Sequence, residues 1–377
     1  MYYYGPSLYL PRPGLLYYNL IFRRRQPKVD LAKIKGVLAE YGLELMGDPQ
    51  WPLGQGRGLT LVVHTPRGKK LLKRYKHTVI RPAITYEHSI LTYLAQVDFP
   101  SPRLVTTKTG QTLVCRDEDN YALFDFIEGG FQYCRYVLFP GQAQHFVMIA
   151  GELLAILHTE LQGCVPEGYN PNGFKSQNGD RWRELEWFLS RLTDCVAEAS
   201  RLNGVAGGEH GAWLLTHAKY LEESLVQLDA MLKEASLPRL IAHGDYGPYN
   251  LLFRKNAPVV ILDFEIARLD WRVFDLVDAW WRFCNDRLLG LRINKMIHLL
   301  DAYQSRLPLT EDELRLMPEV WKFLHIRRCI KTWYRYSQTQ ADFYLARARQ
   351  HLELVDWMIV NQDDLMAAVG TTGFSSI

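Results

Sequence analysis

The chain has 377 residues, of which 48% are hydrophobic and 23% are charged. This length allows two or three compact units with enough apolar residues for a core, and the composition excludes a disordered or fibrous protein. The 44 basic and 41 acidic residues give a formal net charge of +3, so the overall charge gives no reason to expect a nucleic-acid partner.

The first 29 residues form an arm of aromatic and basic residues. Its apolar run ends in three arginines at positions 23–25, whereas a secretion signal carries its positive charge first. Three prolines and an arginine inside the run argue against a membrane-spanning helix, and we expect no transmembrane segment. The arm is interpreted as tyrosines packed on the body of the protein, with an interfacial membrane contact as the alternative.

The six cysteines include no CxxC pair. A chain of this size builds its core without disulfide bonds, so we expect free thiols and a cytoplasmic location.

Strands and short helices alternate in the first third of the chain. Residues 30–41 fit a helix that begins at Asp30 as N-cap and ends at Gly42. Two β-rich runs at 59–65 and 69–75 flank a Pro-Arg-Gly turn and predict a hairpin. A helix is predicted at 84–94. Further strands are predicted at 103–107, 111–115 and 121–127.

Helical periodicity dominates beyond residue 140, with segments at 146–161, 181–193, 212–233 and about 274–368. A β-rich island at 240–264 interrupts this pattern. Its two short apolar strands, 251–253 and 259–262, pair as a hairpin that gathers Asp245, Asn250 and Asp263 at one end. Two carboxylates and an amide oxygen are hard ligands that suit Mg²⁺.

The spacing within the island is specific. His243-Gly-Asp245 is followed by Asn250 five residues after the aspartate, and then by Asp263-Phe-Glu265. Protein kinases carry H-R-D-x-x-x-x-N and D-F-G at the corresponding places. With glycine for the arginine and glutamate for the last glycine, the chain resembles the aminoglycoside phosphotransferase and choline kinase superfamily over roughly residues 50–285.

The resemblance implies an α+β, two-lobed protein-kinase-like fold, with a small antiparallel-sheet N-lobe and a larger, mainly helical C-lobe. Behind the arm at 1–29, it implies a nucleotide-binding N-lobe at 30–128. The catalytic and substrate-binding C-lobe would then occupy residues 129–377.

A glycine-rich turn and a hinge are expected around the nucleotide. The turn is assigned to Gly54, Gly56 and Gly58, although Leu59 stands where a further glycine is expected. The strand at 121–127 would join the lobes and bond the adenine edge through backbone groups. Its assigned residues are Asp125, Phe126 and Ile127.

The resemblance also implies a lysine that contacts the α- and β-phosphates of ATP. Lys73 is the candidate, with Lys70 and Arg74 as rivals if the strand register shifts by one. Glu87 is the only acidic residue between Lys73 and Asp98, and it lies in the predicted helix where the family places the ion-pair partner. An exposed helix glutamate is the alternative.

The implied reaction is transfer of the ATP γ-phosphate to a hydroxyl of a small molecule, with Mg²⁺ as the metal. Asp245 would orient the hydroxyl and take its proton, while Asn250 and Asp263 would hold the metal. His243 either orients the loop or titrates in the reaction. Glu265 is either close to the metal or a capping acid.

The acceptor is expected among the C-terminal helices. Residues 321–340 contain five basic residues and no acid, and Arg327, Lys331 and Arg335 share one helix face. This pattern fits either a solvated basic face or recognition of an anionic or sugar-like acceptor. Because the region is not acidic, an amino alcohol, sugar or related metabolite is preferred over an aminoglycoside.

The competing function is a kinase-like scaffold that binds nucleotide without turnover. Tyr249 favours it, because such enzymes commonly have glycine there and the bulk could crowd the acceptor. Against it, Lys73, Glu87, Asp245, Asn250 and Asp263 are all present. The sequence leaves the oligomeric state open.

Overall fold

A computed structural model describes residues 30–50, 59–132, 140–201, 208–286 and 290–372. The N-terminal arm and the glycine-rich turn at 54–58 lie outside the described residues. Within the described parts, no helix is both long and apolar enough to cross a membrane.

The first helix follows directly from its capping residues. Helix α1 (Leu31–Glu40) begins after Asp30, whose side chain accepts a bond from the Lys33 amide at 3.1 Å. Gly42 adopts a φ of +68° just after the helix, a conformation that glycine reaches without steric cost. The predicted helix is confirmed.

A four-stranded antiparallel sheet has the order β1-β2-β4-β3. Its strands are β1 (Leu59–Thr65), β2 (Gly68–Arg74), β3 (Val114–Arg116) and β4 (Asp119–Asp125). The predicted strand at 103–107 is wrong: this segment forms only an isolated bridge between Leu104 and Phe124. The chain then leaves β4, because the Thr107 amide bonds instead to the Gln111 carbonyl in a local turn.

The sheet separates two hydrophobic clusters. Buried residues of α1, such as Val37, pack with the sheet in one cluster. Helix α2 (Arg81–Gln96) is longer than predicted because Pro82 is tolerated in its first turn. Its buried residues join Phe124 in the second cluster, which continues into the helical part. The mixed architecture, with a small antiparallel sheet and a mostly helical remainder, confirms the predicted fold class.

The rest of the chain is mainly helical. The helices are α3 (Pro140–Glu160), α4 (Leu185–Arg201), α5 (Gly208–Thr216), α6 (Ala218–Glu234), α7 (Arg272–Phe283), α8 (Ile293–Gln304), α9 (Glu311–Thr339) and α10 (Phe343–Thr372). The predicted helix at 212–233 is two helices, with a break at His217. Helix α9 begins at a capping box formed by Thr310 and Glu313.

The predicted hairpin of the β-rich island is confirmed and is part of a larger arrangement. Strands β7 (Leu251–Arg254) and β8 (Ala257–Ile261) pair antiparallel, and β5 (Gly130–Gln132) joins them. Strand β6 (Arg239–Ala242) pairs with β9 (Arg268–Trp271). Strands β10 (Asn285–Asp286) and β11 (Gly290–Leu291) form a minimal hairpin.

The five cysteines in the described residues are free thiols, as expected, and four of them are buried.

Two buried histidines join α9 to α10. The Nδ1 atoms of His325 and His351 lie 3.1 Å apart, and both side chains are almost completely buried. One nitrogen must therefore donate and the other accept, so at least one ring is neutral. Burial lowers the pKa of both rings well below the ordinary histidine value.

We expect this pair to make the fold sensitive to acid. Below pH ~6.5 the unfolded chain binds protons that the folded histidines exclude, so the free energy of unfolding falls by up to about 1.4 kcal/mol per histidine per pH unit. Urea unfolding between pH 7.5 and 5.5 should show that the free energy of unfolding falls less steeply for the His351→Gln variant than for the parent protein. The exposed His77→Gln change is the control, and equal slopes for all three proteins would contradict the assignment.

Candidate active site

The loop between β6 and β7 is held from beneath by a buried carboxylate. Asp275 of α7 accepts bonds from the backbone amides of His243 at 2.5 Å and Gly244 at 2.8 Å. Gly244 has a φ of +79°, and a Cβ there would lie 2.1 Å from Nη1 of Arg268. Glycine is therefore required at this position for both backbone conformation and space.

Asp275 is itself held by a buried hydrogen-bonded chain. Nε2 of His158 lies 3.2 Å from its carboxylate, and Nδ1 of the same ring lies 2.8 Å from the hydroxyl of Tyr303. Burial opposes the ionised form, but the His158 hydrogen bond and the loop amides outweigh it and lower the pKa of Asp275. A charged, fully satisfied carboxylate thus fixes the loop.

His243 has both ring nitrogens committed to the backbone. Its Nδ1 accepts a bond from the Asp245 amide at 3.2 Å, and its Nε2 donates to the Leu262 carbonyl at 2.9 Å. The ring is completely buried. Because both nitrogens bind backbone groups, the ring connects the Asp245 loop to the end of the β7–β8 hairpin.

The Asp245 carboxylate is surrounded by donors. Its Oδ1 accepts from the Tyr249 hydroxyl at 2.8 Å and pairs with Nη2 of Arg282 at 2.5 Å. Its Oδ2 lies 3.3 Å from Nδ2 of Asn250, which also donates to the Asp245 carbonyl at 2.9 Å. The carboxylate is thereby fixed in position, with a quarter of its side chain exposed to solvent.

Arg282 links Asp245 to the C-terminal helices. Its Nε donates to Asp278 at 2.9 Å, and Arg328 of α9 binds the same carboxylate through both of its terminal nitrogens at 2.5 and 2.9 Å. Bidentate pairing of this kind restricts orientation as well as position. The position of Asp245 therefore depends on α7 and α9.

Lys73 lies among three carboxylates. Its Nζ is 3.0 Å from Glu87, 3.2 Å from Glu265 and 4.0 Å from Asp263. Burial disfavours the ammonium form, but the Glu87 carboxylate outweighs it and raises the pKa of Lys73 well above its ordinary value. Glu87 is 3% exposed and also accepts from the Tyr75 hydroxyl at 2.8 Å, so the alternative of an exposed helix glutamate is wrong.

The two rivals of Lys73 point elsewhere. Nζ of Lys70 pairs with Asp125 at 2.5 Å in an exposed setting, and Arg74 reaches Asp119 at 3.4 Å. The Asp125 side chain therefore forms a cross-strand ion pair between β2 and β4. Phe126 and Ile127, which the resemblance assigns to the hinge, are partly buried beyond the end of β4.

The proposed metal ligands have suitable donor chemistry. Asn250 directs its amide nitrogen at Asp245, which leaves its amide oxygen for another partner. Asp263 has a half-exposed carboxylate and a φ of +63°, a conformation that aspartate tolerates better than most residues. One amide oxygen and one carboxylate fit Mg²⁺, which takes its remaining ligands from water and phosphates.

The basic residues of α9 are not a uniformly solvated face. Arg327 is 8% exposed, and its guanidinium lies 4.5 Å from the ring centre of Phe188. Lys331 is half-buried and donates to Asn172 at 3.2 Å, whereas Arg335 is exposed. The alternative of a solvated basic face is therefore wrong for Arg327, at the buried end of this row.

Sequence reasoning missed three residues of this site: Arg282, Arg328 and Asp275 in its contact with the loop. The only signal for Arg282 is its spacing of four residues from Asp278, which places both on one helix face. No local pattern distinguishes Arg328 from Arg327, because the packing of α9 decides which of them faces the loop.

A family model described as "Phosphotransferase enzyme family" matches residues 52–309. The chain belongs to this phosphotransferase family. A homoserine kinase of Rhodospirillum rubrum is 26% identical over 256 residues, which cover 67% of this chain and 70% of the relative. The family membership identifies the chain as a small-molecule kinase.

Solved structures share the fold of this phosphotransferase at low sequence identity. An aminoglycoside phosphotransferase from Alicyclobacillus acidocaldarius has a TM-score of 0.59 and 17% identity, covering 92% of this chain and 99% of that one. The amicoumacin kinase hAmiN, in complex with AMP-PNP, Ca²⁺ and Ami, has a TM-score of 0.58 and 12% identity, covering 87% and 94%. The family match at residues 52–309 confirms the superfamily that the sequence resembles, and the solved structures agree with it in fold.

The Lys73→Met variant is expected to bind Mg–ATP roughly 10- to 100-fold more weakly, since a charge-assisted contact contributes about 1.5–3 kcal/mol. Lys70→Met on the same strand is the matched control and should change affinity less than about twofold. Calorimetric titration measures both. Lys73→Met leaves the buried Glu87 carboxylate without its cationic partner. The Lys73→Met/Glu87→Gln double variant removes that buried charge and should show the same loss of affinity. Equal affinities for all variants would exclude Lys73 from the nucleotide site.

Proposed function

We propose that this phosphotransferase moves the γ-phosphate of ATP to the hydroxyl of a small amino alcohol or hydroxy amino acid, with homoserine as the first candidate. The observation that carries the proposal is the arrangement of Asp245, Asn250, Asp263 and Lys73 around one loop. The name of the Rhodospirillum rubrum relative supports homoserine. Sugars and related metabolites are further candidates, and an aminoglycoside is less favoured.

Lys73 would bind the α- and β-phosphates, and Glu87 would keep its ammonium group in place. Glu265, 3.2 Å from the same ammonium group, would compete with the phosphates for it. The turn at Gly54, Gly56 and Gly58 would cover the phosphates. The hinge backbone at Asp125, Phe126 and Ile127 would bond the adenine edge.

Asp245 would orient the acceptor hydroxyl and take its proton as the phosphate is transferred. Tyr249 and Arg282 both bind Oδ1 of Asp245, so the acceptor would approach its other oxygen or displace one of these donors. Asn250 and Asp263 would hold Mg²⁺, which would neutralise charge on the transferring phosphate. His243 would keep the loop in shape.

We propose that the two lobes bind the two substrates of this reaction. Residues 30–128 would bind nucleotide, and residues 129–377 would supply the loop and the acceptor site. A cytoplasmic location is part of the proposal, supported by the proposed use of ATP and by the free thiols among the described residues.

A nucleotide-consumption screen tests the proposal. The acceptors are amino alcohols, hydroxy amino acids, sugars, aminoglycosides and nucleosides, with the Asp245→Asn protein as control. We expect consumption that depends on both acceptor and Mg²⁺ and is lost in the control. Nucleotide binding without transfer to any acceptor would favour the scaffold alternative, in which Tyr249 and Arg282 keep Asp245 from the acceptor.

A further inference from the structure

A group of cationic side chains gathers where α9 meets the start of α4 and strand β9. Six of them lie close enough to influence one another electrostatically. We call this group the basic cluster: Arg181, Arg183, Arg268, Arg327, Lys331 and Arg335. It lies outside the loop that carries Asp245.

The described residues supply little negative charge to the basic cluster. Asp270 is buried and already pairs with Arg181 and Arg268, each at 2.8 Å. Asp229 influences Arg327 but pairs with Lys233 at 2.9 Å. Burying cations without matching anions is costly, so the remaining cations form a site with an uncompensated positive charge.

Two of these remaining cations, Arg183 and Lys331, share one neutral acceptor. Oδ1 of Asn172 accepts from Nη1 of Arg183 at 2.6 Å and from Nζ of Lys331 at 3.2 Å. Nε of Arg327 is buried and makes no hydrogen bond to the described residues. A buried guanidinium nitrogen with no protein acceptor is a donor that an anionic ligand could use.

The basic cluster is buried at one end and open to solvent at the other. Arg327, Lys331 and Arg335 are spaced by four residues along α9, and their exposure rises in that order from buried to half-buried to exposed. Burial, followed by the surrounding arginines, lowers the pKa of Lys331 well below its ordinary value. A bound anion would reverse that direction by favouring the ammonium form.

The basic cluster and the loop of Asp245 share their supporting elements. Arg268 of β9 packs against Gly244, and Arg328 of α9 connects to Asp245 through Asp278 and Arg282. Lys331 follows Arg328 by three residues, a rise of about 4.5 Å along the helix. An acceptor at Asp245 would therefore have cationic side chains on the adjoining part of α9.

We propose that the basic cluster binds an oxyanion, a carboxylate or a phosphate, carried by the acceptor. Planar guanidinium groups and an ammonium group match such groups in geometry and charge. The proposal rests on the proposed function for the identity of the ligand as acceptor. The binding of the oxyanion itself is testable without turnover.

The test compares probes that differ by one oxyanion. L-homoserine is paired with 3-aminopropan-1-ol, which lacks the carboxylate, and glycerol 3-phosphate is paired with glycerol. Affinities are measured by calorimetry on the full chain with Mg²⁺ and AMP-PNP present. We expect at least tenfold tighter binding of the anionic member of one pair. The pair that shows the preference identifies the oxyanion as carboxylate or phosphate.

Variants assign the preference to the cluster. Lys331→Met and the exposed Arg335→Glu are each expected to reduce it about tenfold. Arg315→Gln, an exposed change on the same helix, should retain it. Binding in buffers of different ionisation enthalpy should show proton uptake that Lys331→Met abolishes. No preference in either pair, or a preference that both cluster variants retain, would overturn the proposal.

The two proposals fail separately. An anion preference that depends on Lys331, without nucleotide consumption on any acceptor, would support the basic cluster and contradict the phosphotransfer proposed for this chain. Transfer to 3-aminopropan-1-ol and L-homoserine with equal efficiency, together with equal affinities within both probe pairs, would support the transfer reaction and overturn the role of the cluster.

Discussion

The Asp245→Asn variant is expected to lose about 10²–10⁴-fold in turnover, because general-base catalysis contributes about that factor. The amide keeps the size of the side chain but does not accept the proton of the hydroxyl. ATP affinity should stay within about twofold, since the contacts of Lys73 are to Glu87, Glu265 and Asp263. Steady-state kinetics and nucleotide titration on the same preparation measure the two effects.

Tyr249→Phe is the matched control for this variant. It removes the 2.8 Å hydrogen bond from the Tyr249 hydroxyl to Oδ1 of Asp245 but leaves the Asp245 carboxylate in place. We expect it to change turnover far less than Asp245→Asn does. Near-normal turnover of the Asp245→Asn protein would remove Asp245 from the reaction.

The Asp275→Asn variant should lose about 3 kcal/mol of stability and most of its turnover. The carboxylate accepts from the amides of His243 and Gly244 and contacts His158. An amide presents an N–H donor to one of these groups, and each hydrogen bond to a charged group contributes about 1.5–3 kcal/mol. Urea unfolding measures the stability. Turnover is measured by steady-state kinetics with an acceptor identified in the nucleotide-consumption screen.

Asp312→Asn provides the comparison for Asp275→Asn. Asp312 is an exposed acid in the first turn of α9, where its charge contributes only a few tenths of a kcal/mol. A stability loss at Asp275 no larger than that at Asp312 would show that the loop does not depend on this carboxylate.

Patterns that are local in sequence predicted their structures well. The N-cap at Asp30, the hairpin from Leu59 and the short strands after Asn250 follow from capping, turn and alternation rules. The strand predicted at 103–107 is wrong because a run rich in β-branched residues also fits a segment that pairs with its neighbour only at an isolated bridge. The split at His217 carried no glycine or proline signal.

The site residues also divide into those that a local pattern predicts and those that tertiary packing positions. The positions of Asp245, Asn250 and Asp263 depend on one hairpin, so spacing alone brought them together. The pairing of Lys73 with Glu87 was predicted only from the family resemblance, since a turn separates the strand of Lys73 from the helix of Glu87. Arg282 and Arg328 depend on how two helices far apart in sequence pack, which periodicity does not determine.

The double contact of Arg328 with Asp278 has a consequence for how acceptor preference changes in evolution. One helix, α9, carries both the support of Asp245 and half of the basic cluster. A substitution at Arg327, next to Arg328, would therefore also act on the support of Asp245. New acceptors would be reached through paired substitutions in α7 and α9, and single changes in α9 would trade reaction rate against selectivity.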